Sequence, residues 1–91
     1  RTMRAILTVV GPDGVGIIAE VCTLLARLNI NVVDLSQTIL QANFTMFMLV
    51  DISASTLDFD GIADALSEKG TEMGLSIRIQ REDIFQAMHR V

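Results

Sequence analysis

The chain of 91 residues has room for one hydrophobic core, so we expect a single domain over residues 3–91. Eleven acidic residues against seven basic ones give a net charge of −4, which argues against nucleic acid or an anionic membrane as the main partner. Cys22 is the single cysteine, which excludes an internal disulfide and favours a reducing, cytoplasmic setting. Hydrophobic residues make up 51% of the chain, which is high for so small a core and indicates that some apolar surface contacts a partner.

The first half of the chain predicts a strand, a helix and a second strand. The run "MRAILTVV" (3–10), closed by Gly11 and Pro12, is typical of a strand. From Val15 apolar residues recur every three or four positions and predict a helix that Asn29 and Asn31 end; its apolar stripe is Ile18, Val21, Cys22, Leu25 and Leu28. The β-branched run "INVVDLSQTIL" (30–40) indicates the second strand.

The second half predicts two more strands and two more helices. A turn at 41–43 leads into the strand "FTMFMLVDI" (44–52). A helix follows that has acids in its first turn and ends at Gly70 or Gly74; its apolar positions are Phe59, Ile62, Ala63, Leu66 and Met73. The alternating "LSIRIQR" (75–81) is the fourth strand, and Asp83 can cap a short last helix over 84–90.

The predicted order is therefore βαββαβ plus a short C-terminal helix, an α+β fold of the ferredoxin-like type. Right-handed crossovers place the two main helices on one face of a four-stranded antiparallel sheet. The other face is left with apolar residues of the third strand, such as Phe47 and Leu49. An uncovered apolar face of that size is unfavourable, so we expect the C-terminal helix or a second subunit to cover it.

The segment "GPDGVG" (11–16), here called the elbow, joins the first strand to the first helix. Gly14 and Gly16 allow a sharp turn and leave backbone amides exposed at a helix N-terminus, where a carboxylate or phosphate oxygen is favoured. Asp13 beside them would attract an ammonium group, so the elbow has both halves of a site for an amino acid. The alternative is that Asp13 is an ordinary N-cap and the glycines only shape the turn. The elbow has neither the Lys-Ser/Thr pair of a phosphate-binding loop nor the spacing of a dinucleotide-binding loop, which argues against nucleotide binding.

The elbow "GPDGVGIIAEV" together with "LNINVVDLSQT" resembles the ACT domain, a regulatory module attached to many enzymes of amino-acid metabolism. Over nearly its full length the chain is similar to free-standing single-domain ACT proteins of bacteria and archaea, with "DLSQT" (34–38) and "IFQAMHRV" (84–91) as further matches, and its first half is similar to glycine-cleavage regulatory proteins. Val15 stands where the family often has proline, and Asp13 stands where asparagine is common.

This resemblance implies a ligand at a dimer interface, held by the elbow of one subunit and the start of the second strand. The ligand-binding residues it implies are Asp13, Gly14, Val15, Gly16 and Asn31. It also implies edge-to-edge pairing of two second strands, because dimerisation removes a long unpaired edge. The interface residues would be Ile30, Val32, Asp34, Ser36 and Thr38.

The remaining chemistry-bearing residues argue against other functions. His89 and Cys22 lack further ligands at metal spacing, so neither a metal nor a His-assisted nucleophile is expected. Phe44 and Phe47 raise an RNA-recognition alternative, but the basic, aromatic strand motif of that fold is absent. An acylphosphatase-like activity would need an arginine in the elbow to hold a phosphoryl group, and the elbow contains no arginine. We therefore expect a non-catalytic, homodimeric module, without a cofactor, that binds an amino acid or related metabolite and passes the bound state to a protein partner that the sequence does not identify. The alternative is a ligand-free interaction module that docks through its apolar sheet face or C-terminal helix.

Overall fold

Six elements follow one another in the order that the sequence predicts. In a computed structural model, which describes residues 3–12 and 14–83, these are β1 (Arg4–Pro12), α1 (Ile17–Arg27), β2 (Asn31–Leu40), β3 (Asn43–Asp51), α2 (Phe59–Met73) and β4 (Ser76–Arg81). The predicted ferredoxin-like α+β fold is thus confirmed. The predicted C-terminal helix falls on 84–90, outside the described residues.

The four strands form one antiparallel sheet in the order β2-β3-β1-β4, with β1 and β3 in the centre and β2 at one edge. Gln41 and Ala42 join β2 to β3 with φ values of 51° and 67°. Two successive left-handed residues are typical of the tight type I′ hairpin turn, whose twist matches that of the strands. The pairing of β2 with β3 shifts between Val32 and Asp34, which leaves Val33 without a partner in the register.

The core lies between the two helices and one face of the sheet, here called the helix face. Alternate residues of the central strands are buried there, because successive side chains of a strand lie on opposite faces. They are Ala5, Leu7 and Val9 of β1 and Phe44, Met46, Met48 and Val50 of β3. The helices add Ile17, Val21 and Leu25 from α1 and Ile62 and Leu66 from α2. Neither helix of the described part combines the length and hydropathy needed to cross a bilayer.

The helix boundaries follow from their caps. The first helix begins at Ile17, two residues later than the expected change at Val15, because Gly16 has a left-handed φ of 83°. Asp58 caps α2 by accepting a 2.8 Å hydrogen bond from the Gly61 amide. Gly74, with φ 73°, ends α2.

The opposite face of the sheet, here called the open face, carries the other alternation of the central strands. Its residues on β1 and β3 are Ile6, Thr8, Val10, Thr45, Phe47 and Leu49. Val10 and Phe47 are each 43% exposed. Both helices pack on the helix face, so no element of the described chain covers this apolar centre.

Candidate functional site

The elbow presents backbone amides at the start of α1. Gly16 has no side chain to cap the helix, and the first intrahelical bond runs from the Glu20 amide to the Gly16 carbonyl at 2.9 Å. The amides of Ile17, Ile18 and Ala19 precede that bond, and no side chain within 14–83 accepts a hydrogen bond from them. These donors, together with the positive end of the helix dipole, favour an anionic oxygen at this position.

A cleft lies between this helix start and the edge strand β2, and we call it the elbow cleft. Its volume is about 210 Å³, and it is lined by Gly14, Gly16, Ile17, Ile18, Ala19, Gln37, Ile39 and Phe44. Phe44 and Ile17 are nearly fully buried and form an apolar floor. The side-chain amide of Gln37 adds one donor and one acceptor. The cleft is smaller than the roughly 300–1,000 Å³ of sites for drug-sized ligands, so it suits a small ligand.

A second hollow of about 500 Å³ lies on the other side of the elbow, between the elbow and the end of α2. Val15 lines it and is fully exposed. Lys69 of α2 crosses to α1 beside it, with its Nζ 2.7 Å from Glu20 and 2.9 Å from Glu72. The hydrogen bond from Lys69 lowers the pKa of Glu20, and the hydrogen bonds to Glu20 and Glu72 raise the pKa of Lys69. The Lys69–Glu20 ion pair joins α2 to α1, whereas Glu72 lies on α2 itself.

The structure separates the residues that the resemblance implies for ligand binding. Gly14 and Gly16 line the elbow cleft, whereas Val15 lines only the hollow toward α2. In the antiparallel register, Asn31 is paired with Asp51 and Pro12 is paired with Asn43. Asp51 and Asn43 lie eight residues apart at opposite ends of β3. Asn31 therefore lies about 26 Å from the elbow, at the other end of the sheet of the same chain. Asp13 falls outside the described residues, so its role stays a prediction.

The residues expected at the dimer interface do not share one face of β2. Because the register shifts between Val32 and Asp34, Val32 stands opposite the buried Val50, while Asp34, Ser36 and Thr38 lie on the open face. Ile30 precedes the strand and is only 5% exposed, so its side chain has almost no surface to offer an interface. Within the described chain no strand pairs with the outer edge of β2, and that edge remains available for pairing.

Residues that the sequence analysis did not select complete this region. Gln37 and Ile39 line the elbow cleft on the helix face of β2, and Phe44 forms its floor. Leu35 and Ile39 are 37% and 54% exposed, because β2 extends beyond the cover of the helices. In the sequence, the signal for these two residues is the recurrence of apolar residues at alternate positions of a strand that lies at the sheet edge, where such side chains remain exposed.

No group of three His, Cys, Asp or Glu side chains suitable for a metal occurs within 3–12 and 14–83. Cys22 is half-buried against the core. His89 lies outside those ranges. The arrangement in the described chain is that of a small cleft next to an unpaired strand edge.

The fold and the elbow agree with the family comparison. The ACT domain model matches residues 4–80. A UPF0237 protein of Listeria innocua is 55% identical over 89 residues, which cover 98% of this chain and 100% of that protein. One of Methanosarcina acetivorans is 42% identical over 88 residues, which cover 97% and 96%. The chain belongs to the ACT domain family, and within it to the UPF0237 proteins.

The fold is also similar to that of several solved structures. An ACT domain protein from Streptococcus pneumoniae has a TM-score of 0.83 at 38% identity, covering 94% of this chain and 97% of that one. A formyltetrahydrofolate deformylase from Pseudomonas syringae has a TM-score of 0.81 at 25% identity, covering 89% of this chain and 28% of the enzyme. A protein assigned as a glycine cleavage system transcriptional repressor has a TM-score of 0.77 at 28% identity, covering 88% and 46%.

Proposed function

We propose that the protein is a non-catalytic, homodimeric regulatory module that binds an amino acid or a related small metabolite in the elbow cleft, completed by a second subunit. The observation that carries the proposal is the juxtaposition of helix-start amides, which donate to no side chain within 14–83, with a small apolar cleft. The amides of Ile17, Ile18 and Ala19 would hold the ligand carboxylate. The apolar floor formed by Phe44 and Ile17 would take a side chain.

The ammonium group of an amino acid needs acceptors that the described elbow does not supply. Asp13 and Asn31 are the candidates, but Asn31 lies at the far end of its own sheet. If two β2 strands pair antiparallel about a two-fold axis, the start of each strand meets the end of the other. Asn31 of the partner subunit would then approach the elbow, because Leu40 and the elbow share one end of the sheet.

The exposed edge of β2 supports this mode of dimerisation. It is ten residues long and unpaired in the described chain, and it presents Val33, Leu35 and Ile39 to solvent. A long apolar edge tends to pair with another strand unless it is blocked. A dimer of this kind couples ligand to subunit geometry, since a ligand shifts an equilibrium only by its difference in affinity between two arrangements. A regulatory output would then pass to a protein partner through contact.

Isothermal titration of the twenty amino acids against the unaltered chain tests the proposal. We expect saturable binding of one or a few of them, and a loss of at least tenfold in affinity in Asp13→Ala and Asn31→Ala. Gln37→Ala should weaken the same ligand, because it lines the cleft. Asp64→Ala removes an exposed acid of α2, far from the cleft, and is the matched control.

A different result would favour the alternative function. If no amino acid or related metabolite binds the unaltered chain, the cleft is not a sensor site, and the apolar strand edge and open face would serve protein docking alone. Equal binding by Asp13→Ala, Asn31→Ala and the control would contradict the proposed contacts.

A further inference from the structure

The hollow between the elbow and the end of α2 has no role in the proposed ligand site. Its volume is about 500 Å³, and it is here called the α2 hollow. Its apolar lining consists of Pro12, Val15, Ile17, Met73 and Leu75. This volume lies within the roughly 300–1,000 Å³ of concave binding sites, so the α2 hollow has room for one bulky apolar group.

Val15 extends this apolar surface beyond the α2 hollow. It is fully exposed, and Pro12 next to the hollow is exposed as well. An isolated exposed valine is ordinary on a protein surface, but an exposed valine beside an apolar concavity is typical of a contact site. A small molecule held inside the hollow would leave Val15 in water. The surface therefore fits a larger partner, such as a segment of a protein.

The charged residues in the lining of the α2 hollow are two acids, Glu20 and Glu72. Their side chains are 56% and 70% exposed, and a single Lys69 ammonium contacts one oxygen of each carboxylate. Lys69 and Arg27 line a separate groove along α1 instead of this hollow. The rim that a partner would meet is therefore negatively charged.

The end of α2 adds to this negative charge. The C-terminal end of a helix carries a partial negative charge and favours a cation nearby. The last turn of α2 contains no basic residue, and it contains Glu72, an acid of the same sign as the helix end. A Lys or Arg of a partner would reverse this unfavourable arrangement, because it would complement both the carboxylate and the helix end.

The α2 hollow adjoins the elbow cleft through shared residues. Gly14 and Ile17 line both the cleft and the hollow. Leu75, in the wall of the hollow, packs against the β1 backbone just before the elbow, where a Cβ added at Gly11 would overlap its Cδ2. No described residue of β2 lines the hollow, so pairing of two β2 strands would leave it accessible.

We propose that the α2 hollow docks a segment of another protein, which places one bulky apolar side chain in the hollow and a Lys or Arg against Glu20 and Glu72. An apolar anchor inside a charged rim is the usual arrangement of a binding hot spot. An excess of acids over bases, eleven against seven, makes a second copy of this chain a poor source of that segment. The further role of the hollow as the regulatory output rests on the proposed function, because it requires a ligand in the adjoining cleft.

Selection of short random peptides by phage display against the ligand-free, unaltered chain tests the docking site. We expect the enriched peptides to carry a Leu, Ile or Phe next to a Lys or Arg. In an NMR titration of the unaltered chain, these peptides should shift the amides of Val15, Gly74 and Leu75 in a saturable way. Failure to enrich any peptide, or shifts confined to Phe47 and Leu49 of the open face, would overturn the proposal. Shifts of the Val15 and Leu75 amides on concentrating the free chain would instead identify a second copy as the occupant and would also overturn it.

Two pairs of variants separate the apolar and the charged contacts of a selected peptide. Val15→Ser should weaken binding about tenfold, whereas Val10→Ser makes the same change on the open face and should not. Glu72→Gln should weaken binding about threefold at low salt, whereas Glu68→Gln removes the same charge one turn earlier, outside the lining of the hollow, and should change it little. A stronger loss in Val10→Ser than in Val15→Ser would contradict the proposed location.

The amino acid found for the unaltered chain tests the link between the two sites. Its addition at saturation should change the dissociation constant of the peptide at least threefold, since Gly14 and Ile17 belong to both surfaces. An unchanged constant would overturn the output role. If peptides bind the α2 hollow but no amino acid binds the chain, the proposed function fails and the docking site stands. If amino acids bind and no peptide binds the hollow, only the docking site fails.

Discussion

Single residues set the geometry of the elbow. Gly16 has a φ of 83°, whereas Gly14 is not in the left-handed region. A side chain at Gly16 would meet no atom of residues 3–12 and 14–83 within 4 Å, so the reason for glycine there is conformational. The elbow thus depends on one glycine for its turn, while the other lies beside the cleft.

Replacing each of these two glycines with alanine separates the cost of the left-handed backbone at Gly16 from the cost of adding a Cβ beside the cleft at Gly14. Gly16→Ala should lower the free energy of unfolding by about 1 kcal/mol, the usual cost of a left-handed residue with a Cβ. Gly14→Ala is the control, because its Cβ would lie 3.7 Å from Cδ1 of Ile17, an ordinary contact, and stability should change little. Urea unfolding of the ligand-free proteins measures both. Equal losses in the two variants would contradict the conformational role of Gly16.

Asp51, at the end of β3, gives the stability a dependence on pH. Its Oδ1 accepts hydrogen bonds from the Ser53 hydroxyl at 2.6 Å and the Ser53 amide at 2.9 Å. These bonds lower the pKa of Asp51 below its usual value. A carboxyl with a lowered pKa in the folded state stabilises the fold above its unfolded pKa, and this stabilisation is lost as the pH falls through the folded pKa.

Ser53→Ala should therefore raise the pKa of Asp51 in an NMR titration, because the strongest donor is removed. Asp51→Asn should flatten the loss of thermal stability as the pH falls below about 4. Glu20→Gln should act in the same direction, since Lys69 lowers the pKa of Glu20. A titration of Asp51 that is unchanged in Ser53→Ala would contradict this explanation.

At the scale of elements, α2 packs unusually close to β4. Gly70 is buried in the last turn of the helix, and a Cβ there would lie 2.8 Å from the carbonyl oxygen of Leu75 and 3.1 Å from Cγ1 of Ile77. The carbonyl oxygen of Leu75 belongs to the backbone, which cannot move away from an added Cβ as the end of a flexible side chain can. Glycine is therefore kept at Gly70 for close approach, although alanine has the higher helix propensity.

Gly70→Ala should destabilise the protein by about 1–3 kcal/mol, the range for overpacking a core. The exposed Glu68→Ala, two residues earlier in the same helix, is the control and should change stability little. Thermal unfolding followed by circular dichroism measures both. A gain in stability for Gly70→Ala would show that helix propensity outweighs the contact with β4.

The order of helices and strands could be predicted from the sequence because the spacing of apolar residues in a helix and their alternation in a strand are both local patterns. The sequence could not show which residues of β2 lie on the helix face and which on the open face, because the register shift between Val32 and Asp34 interrupts the alternation. In a regular strand all even-numbered residues lie on one face. In this structure the even-numbered residues divide between the core and the open face: 30 and 32 lie toward the core, and 34, 36 and 38 lie on the open face. Gln37 and Ile39 were missed for this reason, and Asn31 could be matched to the family motif but not located relative to the elbow.

At the scale of the whole molecule, the proposed site needs two chains. The edge of β2 presents Leu35 near the middle of the strand, where two antiparallel copies would cross. A charge at that position would stand close to its own copy across the two-fold axis. The dimer should therefore be sensitive to this single position.

Leu35→Glu should convert the proposed dimer to a monomer, because it places two like charges at the strand interface. Leu57→Glu is the control, since Leu57 is similarly exposed but lies before α2, away from β2. Multi-angle light scattering after size-exclusion chromatography measures both masses. A Leu35→Glu protein that remains dimeric would exclude this edge as the interface.

The central claim is that one site takes its elbow from one subunit and Asn31 from the other. The most direct test is to mix Asp13→Ala and Asn31→Ala chains after unfolding and refolding them together, and to titrate the amino acid found for the unaltered chain. Half of the dimers are then mixed, and one site in each is intact, so about a quarter of the sites should bind with the affinity of the unaltered protein. If both residues served the same chain's site, every site would lack one of them, and mixing would restore no binding.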